Sequence, residues 1–326
     1  MPVNASPPKL DGDADAAAQV GVVVVQYGAS VLSPSLLSAL RERVVGSAVI
    51  VRNPRGSAGD HEPVGDIGAT LMVLDGNRGY SAAVNAGRAH GSIAHLPFHL
   101  VVTHDVELEP GCLENLARTL RNDATTAIAG PALVEASGGT ARCGGTVRHL
   151  GLARHISRPW PFAGSGQNHD PEANEVDWID GAVMMLRSSV VPSFDERYFL
   201  YGEDVAVCLA VRPRYRVVVV PNAVARQVSG ASKRPGAHGY LIVRNALLLD
   251  RDRGIGRPSG ALRSALMAGA QMKRVVTGPA RRDSLRQLLG MAWGTVDGLR
   301  GVTGAPPKRL RRWGDVSVES SRSDRA

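Results

Sequence analysis

Aromatic side chains make up only 4% of this 326-residue chain, so Val, Ala and Leu must build most of its core. An apolar content of 44% is still enough for one large or two small domains. Lysine is nearly missing: Arg outnumbers it 34 to 4, which reads as coding bias and says little about partners. The three cysteines, Cys112, Cys143 and Cys208, show neither metal spacing nor an even-numbered disulfide framework. A reduced compartment is the expectation. No stretch reaches the roughly 18 apolar residues of a spanning helix. Residues 1–19 carry Asp11, Asp13 and Asp15 without an apolar core, and read as a disordered tail rather than a signal peptide. A dinucleotide-binding oxidoreductase needs Gly-x-Gly-x-x-Gly after its first strand; the chain has Val25-Gln26-Tyr27-Gly28-Ala29-Ser30 there.

Charge is present but unevenly placed. The formal net charge is +8. Residues 244–326 hold 17 Lys/Arg against 7 Asp/Glu, while the other 243 residues hold 21 against 23. The basic character therefore belongs to the C-terminal quarter. Nucleic acid and an anionic membrane surface are both partners for such a region. Its apolar pattern favours the membrane, and no nucleic-acid partner is expected. Leu285, Leu288, Leu289, Ala292, Trp293, Val296 and Leu299 fall on one helical face, and Leu262, Leu266, Met272 and Val276 do so less cleanly. Arg281, Arg282, Arg286, Arg300 and the basic cluster at 308–312 flank them, and Trp313 follows. An amphipathic membrane anchor is one reading. A packed helical extension or a homodimer contact is the other.

Along the chain, β-branched runs alternate with helical patterns. Residues 21–27, 48–51, 70–74 and 98–103 read as strands, and 34–44 (capped by Ser33), 81–90 and 110–121 as helices. This alternation implies right-handed βαβ units on a largely parallel sheet, with ligands at the carboxyl ends of its strands. Tyr27, Asn53, Asn77 and Asp105 stand at or just beyond such ends. The second half is less regular. A strand at 128–134, a hairpin within 140–157, a polar loop at 164–175, a strand ending near Leu186, a helix at 204–211 and a short strand at 216–220 are expected.

Three groups of residues carry chemistry. In Asn77-Arg78-Gly79-Tyr80, followed by Asn85-Ala86-Gly87, Gly79 permits a tight turn, and the Asn side chains offer donors and acceptors for ribose, phosphate or sugar. Asp105 in Thr103-His104-Asp105 lies where a strand ends. Glu203-Asp204 lies at the head of a helix, where Asp204 can act as a general base or as an N-cap.

In this order, Asn77-Arg78-Gly79-Tyr80-Ser81-Ala82-Ala83-Val84-Asn85-Ala86-Gly87 and Phe194-Asp195-Glu196-Arg197-Tyr198-Phe199-Leu200-Tyr201-Gly202-Glu203-Asp204-Val205 resemble the signature of inverting family 2 glycosyltransferases of the GT-A fold. Among them the chain is most similar to bacterial rhamnosyltransferase-like enzymes of cell-envelope assembly. The resemblance runs from about residue 20 to residue 250. It implies a mostly parallel sheet flanked by helices, with a helical C-terminal extension. The expected layout is a tail at 1–19, a GT-A catalytic domain at 20–250, an amphipathic helical extension at 251–305 and a basic flexible tail at 306–326. It implies a UDP- or dTDP-sugar donor and a glycan or polyprenyl-diphosphate-linked acceptor, handled on the inner face of the membrane. Asp204 would be the base, and Glu203 would orient the acceptor hydroxyl or Asp204 itself. Gln26, Tyr27, Asn53, Asn77, Gly79, Asn85, Asp105 and Arg244 would meet the donor. Trp178, Asp180 and Gly181 would line the acceptor side, with Asp180 equally suited to a structural hydrogen bond. Asp105 would hold Mg²⁺ or Mn²⁺ against the diphosphate.

Three residues depart from the family pattern. Arg52 stands where an Asp usually contacts the nucleotide, Thr103 replaces part of the acidic motif, and Gln227 stands where a His often completes the metal site. Arg226, Lys233 or Arg234 could supply the missing positive charge. The alternative function is a catalytically degenerate GT-A scaffold or partner subunit.

Overall fold

The computed structural model describes residues 19–28, 31–43, 47–54, 68–135, 138–147, 153–161, 173–227 and 234–312. The expected tail before residue 19, the polar loop at 164–172, Val44, Lys233 and everything from Trp313 onward lie outside them. Among the described residues eleven strands form one sheet; eight follow the order β3-β2-β1-β4-β10-β6-β11-β5, and β7, β8 and β9 branch off this path. The strands β1 (Val20–Tyr27), β2 (Ala48–Asn53), β3 (Thr70–Val73) and β4 (Phe98–Thr103) are mutually parallel. β10 (Val183–Arg187) runs antiparallel between β4 and β6 (Thr126–Val134). β11 (Arg216–Gln227) is parallel to β6, and carries β5 (Val106–Leu108) and β9 (Asn174–Glu175) antiparallel. The expected hairpin is β7 (Thr140–Val147) with β8 (Ala153–Pro159), continuing the sheet from β6. This is the mixed α/β arrangement of the GT-A fold.

The strand expected at 216–220 extends to twelve residues. Its register shifts between Val220 and Val224, where Pro221 cannot donate to the ladder, and then pairing resumes. That continuation carries Gln227 to the end of β4, beside Asp105.

β1 is buried on both faces. Val20, Val22 and Val24 cluster with Leu36 and Leu40 of α1 (Pro34–Arg43) and with Leu113, Leu116 and Leu120 of α3 (Cys112–Asn122). Val23 and Val25 share the opposite core with Ala83 and Val84 of α2 (Tyr80–Arg88) and with Val205, Cys208 and Val211 of α4 (Glu203–Val211). Period-2 alternation thus serves two apolar layers, as a covered sheet requires.

The helices α5 (Pro235–Asp252), α6 (Arg257–Thr277), α7 (Arg281–Arg300) and α8 (Lys308–Arg312) follow. Leu248 and Leu249 of α5 reach the main core, and Val243 and Leu247 pack against Met291 of α7. The expected apolar face of α7 packs only in part: Trp293 and Leu299 pack against buried clusters, whereas Leu285, Leu289 and Val296 remain exposed. The closest contact is made by Gly290, Met291 and Gly294, which are buried. A Cβ on Gly294 would lie 2.3 Å from the Tyr240 carbonyl oxygen, and one on Gly290 would lie 2.0 Å from that of Gly236. The helix backbones meet because neither residue has a side chain. Gly294→Val should force α5 and α7 apart, an overpacking that costs about 1–3 kcal/mol. A urea midpoint equal to that of the parent chain would contradict this packing.

Candidate active site

The two signature segments, more than a hundred residues apart, are folded onto each other. The turn at 77–79 is self-organised: Gly79 N–H donates to Asn77 Oδ1 (3.0 Å), while Asn53 receives Arg78 N–H (3.2 Å) and donates to the Gly79 carbonyl (3.0 Å). Gly79 has φ 90°, and a Cβ there would lie 2.4 Å from the Phe199 carbonyl oxygen. That same carbonyl accepts from Tyr80 N–H at 2.7 Å. Glycine is therefore required here for the docking of one motif on the other. Asn85 completes the junction: Phe194 N–H donates to it (2.8 Å), and its amide donates to the Phe194 carbonyl (2.9 Å) and to Glu196 (3.2 Å).

The loop that leads to the acidic pair is strained and clamped. Phe199 and Tyr201 take left-handed backbone conformations, with φ 64° and 69°. For residues with a Cβ this costs on the order of 1–3 kcal/mol each and persists only where surroundings impose it. Asn245 imposes it by donating to the carbonyls of Tyr198 (2.9 Å), Leu200 (2.8 Å) and Tyr201 (2.5 Å). Arg244 donates to the Tyr198 carbonyl (2.9 Å) and to that of Gly304 (2.5 Å).

Gly202 then starts α4, with Glu203 and Asp204 at its first turn. Asp204 accepts from Gly181 N–H (3.1 Å) and from Val205 N–H (2.8 Å). The Gly181 carbonyl in turn accepts from the Tyr80 hydroxyl. Burial, followed by the charge of nearby Asp180, pushes the Asp204 carboxyl up to about 6. Glu203 is only 4% exposed, and its Oε2 has no partner among the described residues. Burial and then the Asp204 charge raise its carboxyl well above the ordinary range. Burial and mutual repulsion thus push both carboxyls of the pair upward, the kind of environment that acid–base sites use. Burial, then Glu203 and Asp204, also hold the Tyr80 phenol well above its usual value, so it stays a donor.

A line of polar contacts joins Asp105 to this pair. Thr103 Oγ1 donates to Asp105 Oδ1 (2.8 Å), and Gln227 Nε2 donates to Asp105 Oδ2 (3.3 Å). Gln227 Oε1 accepts from Arg142 Nη2 (2.5 Å), and Arg142 Nη1 pairs with Asp180 Oδ2 (2.5 Å). Asp180 Oδ1 accepts from Ala182 N–H (3.0 Å), next to Gly181. These residues do not fit a divalent ion held by the protein. Asp105 offers a single carboxylate whose two oxygens are both engaged. Among the described residues no group of three or more His, Cys, Asp or Glu converges.

Other expected site residues have partners within the protein. Gln26 is 3% exposed and accepts from Arg52 Nε at 2.7 Å, because β1 and β2 pair these two residues directly. The unusual Arg52 thus donates to Gln26 inside the sheet. Asn53 and Asn85 serve the junction of the motifs as described above. Tyr27 sits at the end of β1, half-buried. Arg244 is fully buried in the middle of α5, where it holds the loop before Gly202. Trp178 is 4% exposed and meets the His155 ring at a tilt of 58°, with centroids 4.6 Å apart. Asp180 is engaged by Arg142 and Ala182, which is the structural alternative. Arg226, a candidate counter-charge, is paired with Glu109 at 2.5 Å. Arg142 was not singled out in the sequence. A lone Arg in a hairpin carries no local signal, and its partners lie 38 and 85 residues away.

No family model matches the chain. It is similar over 253 residues to curated proteins from two strains of Mycobacterium tuberculosis, CDC 1551 / Oshkosh and ATCC 25618 / H37Rv. Both are named N-acetylglucosaminyl-diphospho-decaprenol L-rhamnosyltransferase. Identity is 26%, and the match covers 68% of this chain and 80% of each relative. This agrees with the rhamnosyltransferase-like resemblance of the motifs.

Proposed function

We propose that this chain, a rhamnosyltransferase-like glycosyltransferase, moves a sugar with inversion from a nucleoside-diphosphate sugar to a lipid-diphosphate-linked glycan. One observation carries the reading. The carboxylate that a displacement needs as base, Asp204, is held at a helix start by two backbone N–H groups, at the meeting point of the two signature segments. The acceptor hydroxyl gives its proton to Asp204 as its oxygen attacks the anomeric carbon. The bond to the diphosphate breaks on the opposite face, and its electron pair leaves with the diphosphate. Glu203, buried beside Asp204, orients the acceptor hydroxyl or Asp204 itself. The relatives' name supports rhamnose as the sugar and a polyprenyl-diphosphate-linked N-acetylglucosamine as the acceptor. A dTDP- or UDP-sugar is the donor to try first.

The C-terminal helices supply the acceptor's surroundings. Among the described residues no helix is long and apolar enough to cross a membrane. Yet α6 leaves Leu262, Leu266, Met272 and Val276 exposed, and α7 leaves Leu285, Leu289 and Val296 exposed, within the most basic part of the chain. Exposed apolar stripes flanked by arginines suit an anionic lipid surface on which a lipid-linked substrate lies.

The test is incubation of the purified chain with UDP-, dTDP- and GDP-sugars and a polyprenyl-diphosphate N-acetylglucosamine acceptor, with product read by mass spectrometry. A mass increase of one sugar with one of the donors is the expected result. Donor binding without turnover on any acceptor would favour the degenerate-scaffold alternative.

A further inference from the structure

The departures at Thr103 and Gln227 are accompanied by a cation that no motif announces. Resting on the glycosyl-transfer reading, we propose that Arg142 is the built-in counter-charge for the leaving diphosphate, in the place where a divalent ion would otherwise act.

Three observations point to it. First, Asp105 is occupied by Thr103 and Gln227, and the Gln227 amide hands the contact on to Arg142 rather than presenting its carbonyl to Asp105. Second, the Arg142 side chain is only 18% exposed, and Asp180 and Gln227 hold its two terminal nitrogens at 2.5 Å each. Its Nε is buried with no partner among the described residues. A guanidinium has five N–H donors in a rigid fork, so these two contacts leave donors for a phosphate. Third, Arg142 stands on the line of contacts between Asp105, at the carboxyl end of β4, and Gly181, which bonds the base. That is the interval an in-line displacement must span.

As the anomeric carbon–oxygen bond breaks, its electron pair adds negative charge to the departing diphosphate. A fixed guanidinium in a partly desolvated site stabilises that charge without reorganising. The acceptor proton goes to Asp204, so Arg142 loses and gains none. Asp180 holds the guanidinium from the acceptor side, and Gln227, anchored on Asp105, holds it from the donor side.

The test is calorimetric binding of dTDP and UDP, and of thymidine and uridine, in EDTA and in MnCl2. It compares the parent chain with Arg142→Gln, Arg142→Lys and the double variant Arg142→Gln/Asp180→Asn. The parent chain should bind a nucleoside diphosphate in EDTA, with little gain from Mn²⁺. Arg142→Gln should weaken that binding at least about tenfold, as loss of a charge-assisted phosphate contact does, and leave nucleoside binding unchanged. Arg142→Lys should restore part of the loss. The double variant leaves no orphaned carboxylate, so it separates phosphate binding from misfolding around Asp180. If it regains parental diphosphate binding, Arg142 is only Asp180's structural partner and the assignment is overturned. Mn²⁺-dependent binding that is indifferent to Arg142 would overturn it while leaving the transferase reading intact. A parent chain that binds no nucleoside diphosphate and transfers no sugar would remove both.

Discussion

Asp204→Asn should lower the turnover of sugar transfer by about 10²–10⁴-fold, the usual contribution of a general base. Nucleoside-diphosphate binding should be nearly intact. Asn keeps the shape and one of the two accepted backbone hydrogen bonds, but cannot take the acceptor's proton. The same assignment fixes a pH dependence. The Asp204 carboxyl ionises at about 6 and the base is active only when ionised. The kcat/KM of the parent chain should therefore fall about tenfold per unit as pH drops below that value. The variant's residual rate should lack this limb. Near-normal turnover by Asp204→Asn would place the base elsewhere.

Removing the exposed apolar side chains of α6 and α7 should have the second largest effect. Leu262, Leu266, Leu285 and Leu289 are 46–58% exposed and support no core. Replacing all four with Ser should leave the unfolding temperature nearly unchanged. On a membrane each would leave water, at about 1.5–3 kcal/mol for full burial of such a side chain. Even partial insertion by four leucines implies a loss of at least about a hundredfold in partition onto anionic vesicles. Raised salt should weaken binding of the parent chain, because the flanking arginines act through a screened field. Equal sedimentation of parent and variant with anionic vesicles would assign the stripes to another surface, such as a second copy of the chain.

The parts of this fold written locally were legible. The buried strands are β-branched runs of the right length, and the helix at 112–122 shows its apolar period. The acidic pair stands at a helix start in the sequence as in the structure. What the sequence hid is long-range. That Gln26 faces Arg52 follows only from the register of β1 on β2. Asn85 holds a carbonyl 109 residues away, and Asn245 holds one 47 residues away. A side chain rich in donors and acceptors reads equally well as a ligand contact, which is why Asn85 is expected at the donor site. The closest contact of α7 was missed for a different reason. Close helix contact through Gly290 and Gly294 uses the absence of side chains, and apolar periodicity registers only their presence.

The central claim is a single displacement at the anomeric carbon with Asp204 as base. The most direct measurement is proton NMR of the newly formed glycosidic linkage, recorded early in the reaction with a donor of known anomeric configuration. Single-step displacement predicts the opposite configuration in the product from the first turnover onward. Retention of the donor's configuration would contradict the account, since it requires a double displacement or front-face attack that this arrangement of Asp204 does not provide.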